Sequence, residues 1–244
     1  MSHENDTDTS SPGRDAPQAP ARTPWAAYPA VILPAASAIA VVAMQEWLPP
    51  SDLLRDSQVV AALHGGASPA YGLVSNAGIL LLVLATGGAI VARVALRGRL
   101  DRMRSLLVWS AVLGLVVALD DLLLLHETAA VVGGAGVVTA GLYGAAFLAY
   151  YAQFRGTIRR HLGVGLLALA VAALAFSVVV DGLAEPATQV SLLMEDGAKL
   201  LGYMAWSAFV LRAAVIALRS DAGDHSPAGS ETTTPRIASV TSAG

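Results

Sequence analysis

Polar and apolar positions along this chain alternate on the scale of a bilayer. Roughly six apolar runs, 25–48, 71–96, 105–127, 132–153, 162–183 and 191–218, each hold the approximately 20 residues needed to cross a hydrocarbon core. In lipid a segment must satisfy its own backbone hydrogen bonds, so each run is predicted to be an α-helix. The pattern therefore predicts an all-α, polytopic membrane helix bundle spanning 25–219. It is flanked by two polar stretches, 1–24 and 220–244, whose composition predicts disordered tails. Residues 49–70 form the longest connection, and Asp52–Leu63 within it reads as a short amphipathic helix on the membrane surface. The fourth run contains Gly133, Gly134, Gly136, Gly141 and Gly144, a density that predicts close helix approach.

Composition narrows the class further. Hydrophobic residues make up 55% of the chain and charged ones 14%, and the mean hydropathy is +0.60, which excludes most soluble folds. There is no cysteine, so disulfides and thiolate metal sites are excluded. The first 24 residues lack the basic start, apolar core and cleavage site of a signal peptide. The expected partner is the lipid bilayer, with a lipid or a small ion as ligand and no nucleic acid.

Arginine sets the expected orientation. Arg97, Arg99, Arg102 and Arg104 follow the second run, Arg155, Arg159 and Arg160 follow the fourth, and Arg14, Arg22 and Arg219 flank the ends. Only Arg55 falls on the opposite side. The positive-inside rule then places both termini and both basic loops in the cytoplasm, in a bacterial inner membrane. A bias towards Ala, Val, Leu, Gly and Arg is common in GC-rich bacterial genomes and suggests that source.

Against this apolar background, Asp120, Asp121, His126 and Glu127 stand out at the end of the third run. Charged groups in membrane segments usually face a bundle interior and mark functional sites. Counting from Arg104, Asp120 lies roughly 24 Å from the cytoplasmic boundary, and Asp181, counted from Arg160, roughly 31 Å. Glu195 and Lys199, the only lysine, come out at roughly 26 and 20 Å when counted from Arg212, and Asn76 at roughly 26 Å when counted from Arg93. Four helices thus bring polar groups to one depth. At about 100° per residue, Glu195, Asp196, Lys199, Tyr203 and Trp206 share one arc of the last helix. Ser177 and Asp181 lie on one stripe of the fifth. These residues predict an outward-facing acidic pocket, with Asp120 and Lys199 as candidate reactive groups. Asp120, Asp121, His126, Glu127, Asp181, Glu195 and Asp196 are candidate metal or cation ligands, and Asn76, Ser177, Tyr203 and Trp206 support them.

Three chemistries suit such a pocket. Carboxylates with one imidazole could hold a divalent cation whose bound water attacks a lipid ester, amide or phosphoester at the outer leaflet. Asp120 and Lys199 could load and release protons or cations for transport. The same groups could form a polar knot that fixes helix packing in a structural or sensory protein. The first reading leads narrowly.

The Asp120-Asp121-x4-His126-Glu127 end, with Glu195-Asp196-x2-Lys199-x2-Gly202, resembles a pattern in uncharacterised bacterial multipass membrane proteins over about three spans. That resemblance implies no activity. The overall plan is similar to that of alkaline ceramidase and progestin-receptor-like membrane hydrolases, which place a zinc site among their helices. Those proteins have an additional span and several histidine ligands, and this chain has neither, so none of their residues is carried over.

Overall fold

A computed structural model describes residues 21–96, 101–125, 135–183 and 188–224. The described chain is all-helical: α1 Ala27–Met44, α2 Pro50–Leu54, α3 Ser57–His64, α4 Leu73–Ala95, α5 Asp101–Leu123, α6 Ala135–Thr157, α7 Gly165–Leu183 and α8 Gln189–Asp224. Among the described residues, five helices (α1, α4, α5, α7 and α8) are long and apolar enough to cross a membrane. The protein is therefore a multi-pass helical membrane bundle. The remaining predicted run, 132–153, is represented by the 23 residues of α6, and its first residues lie outside the described ones.

Helix α8 is the axis of the fold. It packs against α7, α4, α1, α2 and α5, and it is the most buried of the spanning helices. Its 36 residues extend over roughly 54 Å, well past a core about 30 Å thick, so the helix continues beyond the expected boundary at 219. Phe209, Val210, Ala213 and Ala217 form a buried stripe along its Arg-rich half, meeting Leu106 and Leu107 of α5 and Leu82, Ala85 and Ala89 of α4 in one core. Small residues allow the closest approaches. A side chain at Gly202 would begin 2.6 Å from Leu174 of α7, so only glycine admits that contact. The glycines of α6 do not act this way within the chain. Gly141 and Gly144 face open space, and Gly133, Gly134 and Gly136 lie outside the described side chains.

The long connection also differs from expectation. The backbone at Arg55 and Asp56 is extended, which splits the predicted surface helix into α2 and α3. Both fold onto the bundle, burying Leu53, Leu54 and Val60. Asp52 and His64 clamp the two helices together at 3.0 Å, and the imidazole stacks on Tyr71. The Gln58 amide donates a hydrogen bond to the Leu122 carbonyl at 2.8 Å, which gives a partner to an orphan acceptor at the end of α5.

Candidate functional site

The site is built on the first third of α8. Residues 195, 196, 199 and 203 lie three and four apart, so one face of the helix carries Glu195, Asp196, Lys199 and Tyr203. Lys199 extends to α5 and forms an ion pair with Asp121. The Asp121 side chain is 3% exposed and that of Lys199 21% exposed, so the pair lies inside the protein. The ring of Tyr203 is buried, and its phenol lies beside the same carboxylate. A side chain at Gly78 of α4 would begin 2.7 Å from that ring, so glycine there is what allows Tyr203 to lie flat on α4.

Two further carboxylates face the ammonium. Asp196 is one turn earlier on α8, and Asp56 reaches in from the start of α3; both are within electrostatic reach of Lys199. Asp56 is fixed by the Ser75 hydroxyl of α4, which donates to it at 2.8 Å. Val74, Ser75 and Gly78 of α4, with Asp196, Lys199 and Tyr203 of α8, line a cavity of about 10 Å³, enough for one water at most. The second carboxylate oxygen of Asp121 is buried and makes no hydrogen bond to another described residue.

The sequence-predicted residues divide into groups. Asp121, Asp196, Lys199 and Tyr203 meet. Glu195 is half-buried at the rim, where Asp181 and the exposed Arg55 influence it. Asp120 is half-buried and turns to α6, lying near Tyr143, so Asp121 takes the place beside Lys199 that depth alone suggested for Asp120. Consecutive helical residues point about 100° apart, and the rotation of α5 decides between them. Asn76 is exposed and does not join the site. Ser177 is buried in α7, and Asp181 is exposed near its end. Trp206 belongs to the core: it is 2% exposed, its ring packing edge-on against Phe147 and Tyr150 and tilted against Phe209. His126 and Glu127 lie outside the described residues.

Asp56 is the residue that sequence reasoning missed. It sits in a connection, away from the depth count, and its only signal was a carboxylate two residues before a glutamine able to cap α5. Among the described residues, no three His, Asp or Glu side chains converge as a metal would require.

A family model described as a domain of unknown function, DUF8692, matches residues 28–213, which include every residue of this site. The chain belongs to the DUF8692 family. No curated protein and no solved structure matches it. In this DUF8692 chain the arrangement can do one thing chemically: hold a positive charge among several carboxylates, out of bulk water. Asp121 pairs with the Lys199 ammonium, Asp56 and Asp196 lie within electrostatic reach of it, and Glu195 and Arg55 modulate the field from the rim.

Proposed function

We propose that this protein couples to protons or small cations across a bacterial inner membrane, with Lys199 and Asp121 as the pair that loads and releases charge. The observation that carries this reading is the buried Lys199–Asp121 ion pair, with Asp56 and Asp196 within electrostatic reach of the ammonium and a space of about 10 Å³ beside Lys199 and Asp196. One water, a proton or a small ion fits there. A lipid headgroup does not, which gives the outer-leaflet hydrolase reading less support than transport. A polar knot serving packing alone tends to satisfy its polar atoms, whereas one Asp121 oxygen is buried without a hydrogen-bond partner among the described residues. Charge count also favours an incoming cation. Among the described residues, the carboxylates Asp56, Asp121, Asp196 and Glu195 are set against the cations Lys199 and the exposed Arg55. In the expected orientation, with the Arg-rich end in the cytoplasm, the pair opens to the outside.

Reconstituted vesicles carrying a pH-sensitive dye test the proposal. An imposed pH gradient, or a Na⁺, K⁺ or Mg²⁺ gradient, should collapse faster with wild-type protein than in protein-free vesicles. Asp121→Asn should remove most of the difference, while Asp52→Asn, in the α2–α3 clamp, should retain it. Wild-type rates equal to those of empty vesicles under every gradient would leave the packing role as the better account.

A further inference from the structure

At the opposite, Arg-rich end of the bundle lies a second cavity that the acidic site does not involve. We infer that it is a binding site for a phosphate-bearing anion, supplied by the headgroup of an anionic phospholipid or by phosphate in solution. The cavity measures about 470 Å³, within the usual size range of small-ligand sites, and is lined by Arg102, Gly156, Thr157, Arg160 and His161.

Its construction follows from the end of α6. The α-helix gives way there to a π turn, Ile158–Leu162, which widens the last turn and carries three basic residues in succession. The turn ends at Gly163, whose φ of 75° is left-handed, and the incoming chain braces it: the Ala21 N–H donates to the Arg159 carbonyl at 2.8 Å. The three basic side chains then separate by role. Arg159 is engaged, its guanidinium donating to the Tyr151 hydroxyl at 3.1 Å and lying over that ring. Arg160 and His161 line the cavity, and Arg102, in the first turn of α5, faces them from the other wall. Among the described residues none of these three side chains forms an ion pair or hydrogen bond, so two guanidiniums and an imidazole line one cavity with their donors unspent.

Two planar guanidinium forks present matched pairs of donors to tetrahedral oxyanions, which is the geometry that favours phosphate over a monovalent halide. The Thr157 hydroxyl adds a neutral donor, and the first turn of α5 brings the positive end of a 23-residue helix dipole to the same wall. The cavity also lies at the start of the spanning helix α5, beside the end of α6. That is headgroup depth, where basic pockets between helices take anionic lipids.

The test is isothermal titration of the full-length protein in neutral detergent with three probes: a short-chain phosphatidylglycerol, the matching phosphatidylcholine, and inorganic phosphate. Wild type should bind the phosphatidylglycerol and not the phosphatidylcholine. Arg102→Gln with Arg160→Gln should weaken binding about tenfold or more, and Arg219→Gln, at the same end of the bundle, should leave it unchanged. If Arg160→Gln does not fold, Arg102→Gln alone carries the comparison, because Arg102 is exposed at a helix start. Phosphate binding with the same variant dependence supports the site and identifies its source as soluble; phosphatidylglycerol binding without phosphate binding identifies it as lipid. No binding of either probe by wild type, or an equal loss in Arg219→Gln, overturns the site.

Discussion

Removing one charge of the Lys199–Asp121 pair should destabilise the protein by an amount that depends on which charge is removed. In Lys199→Met, the Asp121 carboxylate, 3% exposed, stays buried without its cation. Breaking a buried pair in this way costs about 3–5 kcal/mol. In Asp121→Asn the ammonium is left behind, but its side chain is 21% exposed and still faces Asp56 and Asp196. The loss there should be nearer the cost of a charged hydrogen bond, about 1.5–3 kcal/mol. Replacing both, with Asp121→Asn and Lys199→Met, removes the stranded ion, so the double variant should cost less than the sum by about 1–3 kcal/mol. For a domain of this size 1 kcal/mol corresponds to about 2–4 °C, which places Lys199→Met roughly 6–20 °C below wild type. The assay is thermal unfolding of the detergent-solubilised protein, followed by intrinsic fluorescence, with the four forms measured at one pH and ionic strength. Equal losses in the two single variants, combined with strict additivity in the double, would refute the reasoning, because they would mean that the two groups do not share a charge environment.

Two further outcomes follow from the same geometry. Gly78→Ala should destabilise by about 1–3 kcal/mol through overpacking against the Tyr203 ring, and Tyr203→Phe, which keeps the ring, should not relieve it in a double-variant melt. Reporter fusions should place residue 100 and the chain after 224 on one side of the membrane and residue 66 on the other; an external signal at residue 100 would reverse the orientation and turn the acidic site to the cytoplasm.

Much of the fold was legible because bilayer-length apolar runs have few alternative structures. Depth could be counted along helices of fixed rise, yet of the residues so placed Asn76 and Asp181 are exposed and do not join the Lys199–Asp121 pair. Rotation was not legible. Asp120 and Asp121 have the same depth within about 1.5 Å, yet one turns towards α6 and the other meets Lys199. Helix α5 is apolar on nearly every face, so no amphipathic stripe announced which face meets α8. On α8 the polar arc was visible, and Asp196, Lys199 and Tyr203 of that arc line one cavity. Trp206 shared the arc but is held by aromatic neighbours from α6, which a single-helix projection cannot anticipate. Asp56 escaped for a different reason: it reaches the site through the break between α2 and α3, and that break carries neither proline nor glycine to mark it.

What lies below the acidic site bears on which cation it serves. From the spacing of charges alone, the Arg-rich halves of the helices look featureless, with little beyond Ser110 and Trp109 to conduct anything. The packed structure adds buried polar atoms along the same side of α8. The Thr86 hydroxyl and the Trp206 indole nitrogen both crowd Gly114, lying 2.9 and 3.1 Å from where a side chain there would begin. The Trp206 ring meets that of Tyr150 at 5.7 Å, and the Tyr150 hydroxyl is 2.7 Å from the Ser110 hydroxyl, which also donates to the Leu106 carbonyl. Ser207 is buried on the same helix. These groups form an interrupted file leading away from Tyr203, and its gaps are filled by aromatic rings. A divalent ion would need oxygen ligands at every step and would have to shed most of its water to enter, which this file does not provide. A proton needs only hydroxyls and an occasional water within hydrogen-bond reach. Under the proposed coupling, the hydroxyl pair at Ser110 and Tyr150, one aromatic contact from the Lys199–Tyr203 face of α8, suits a proton better than a metal ion.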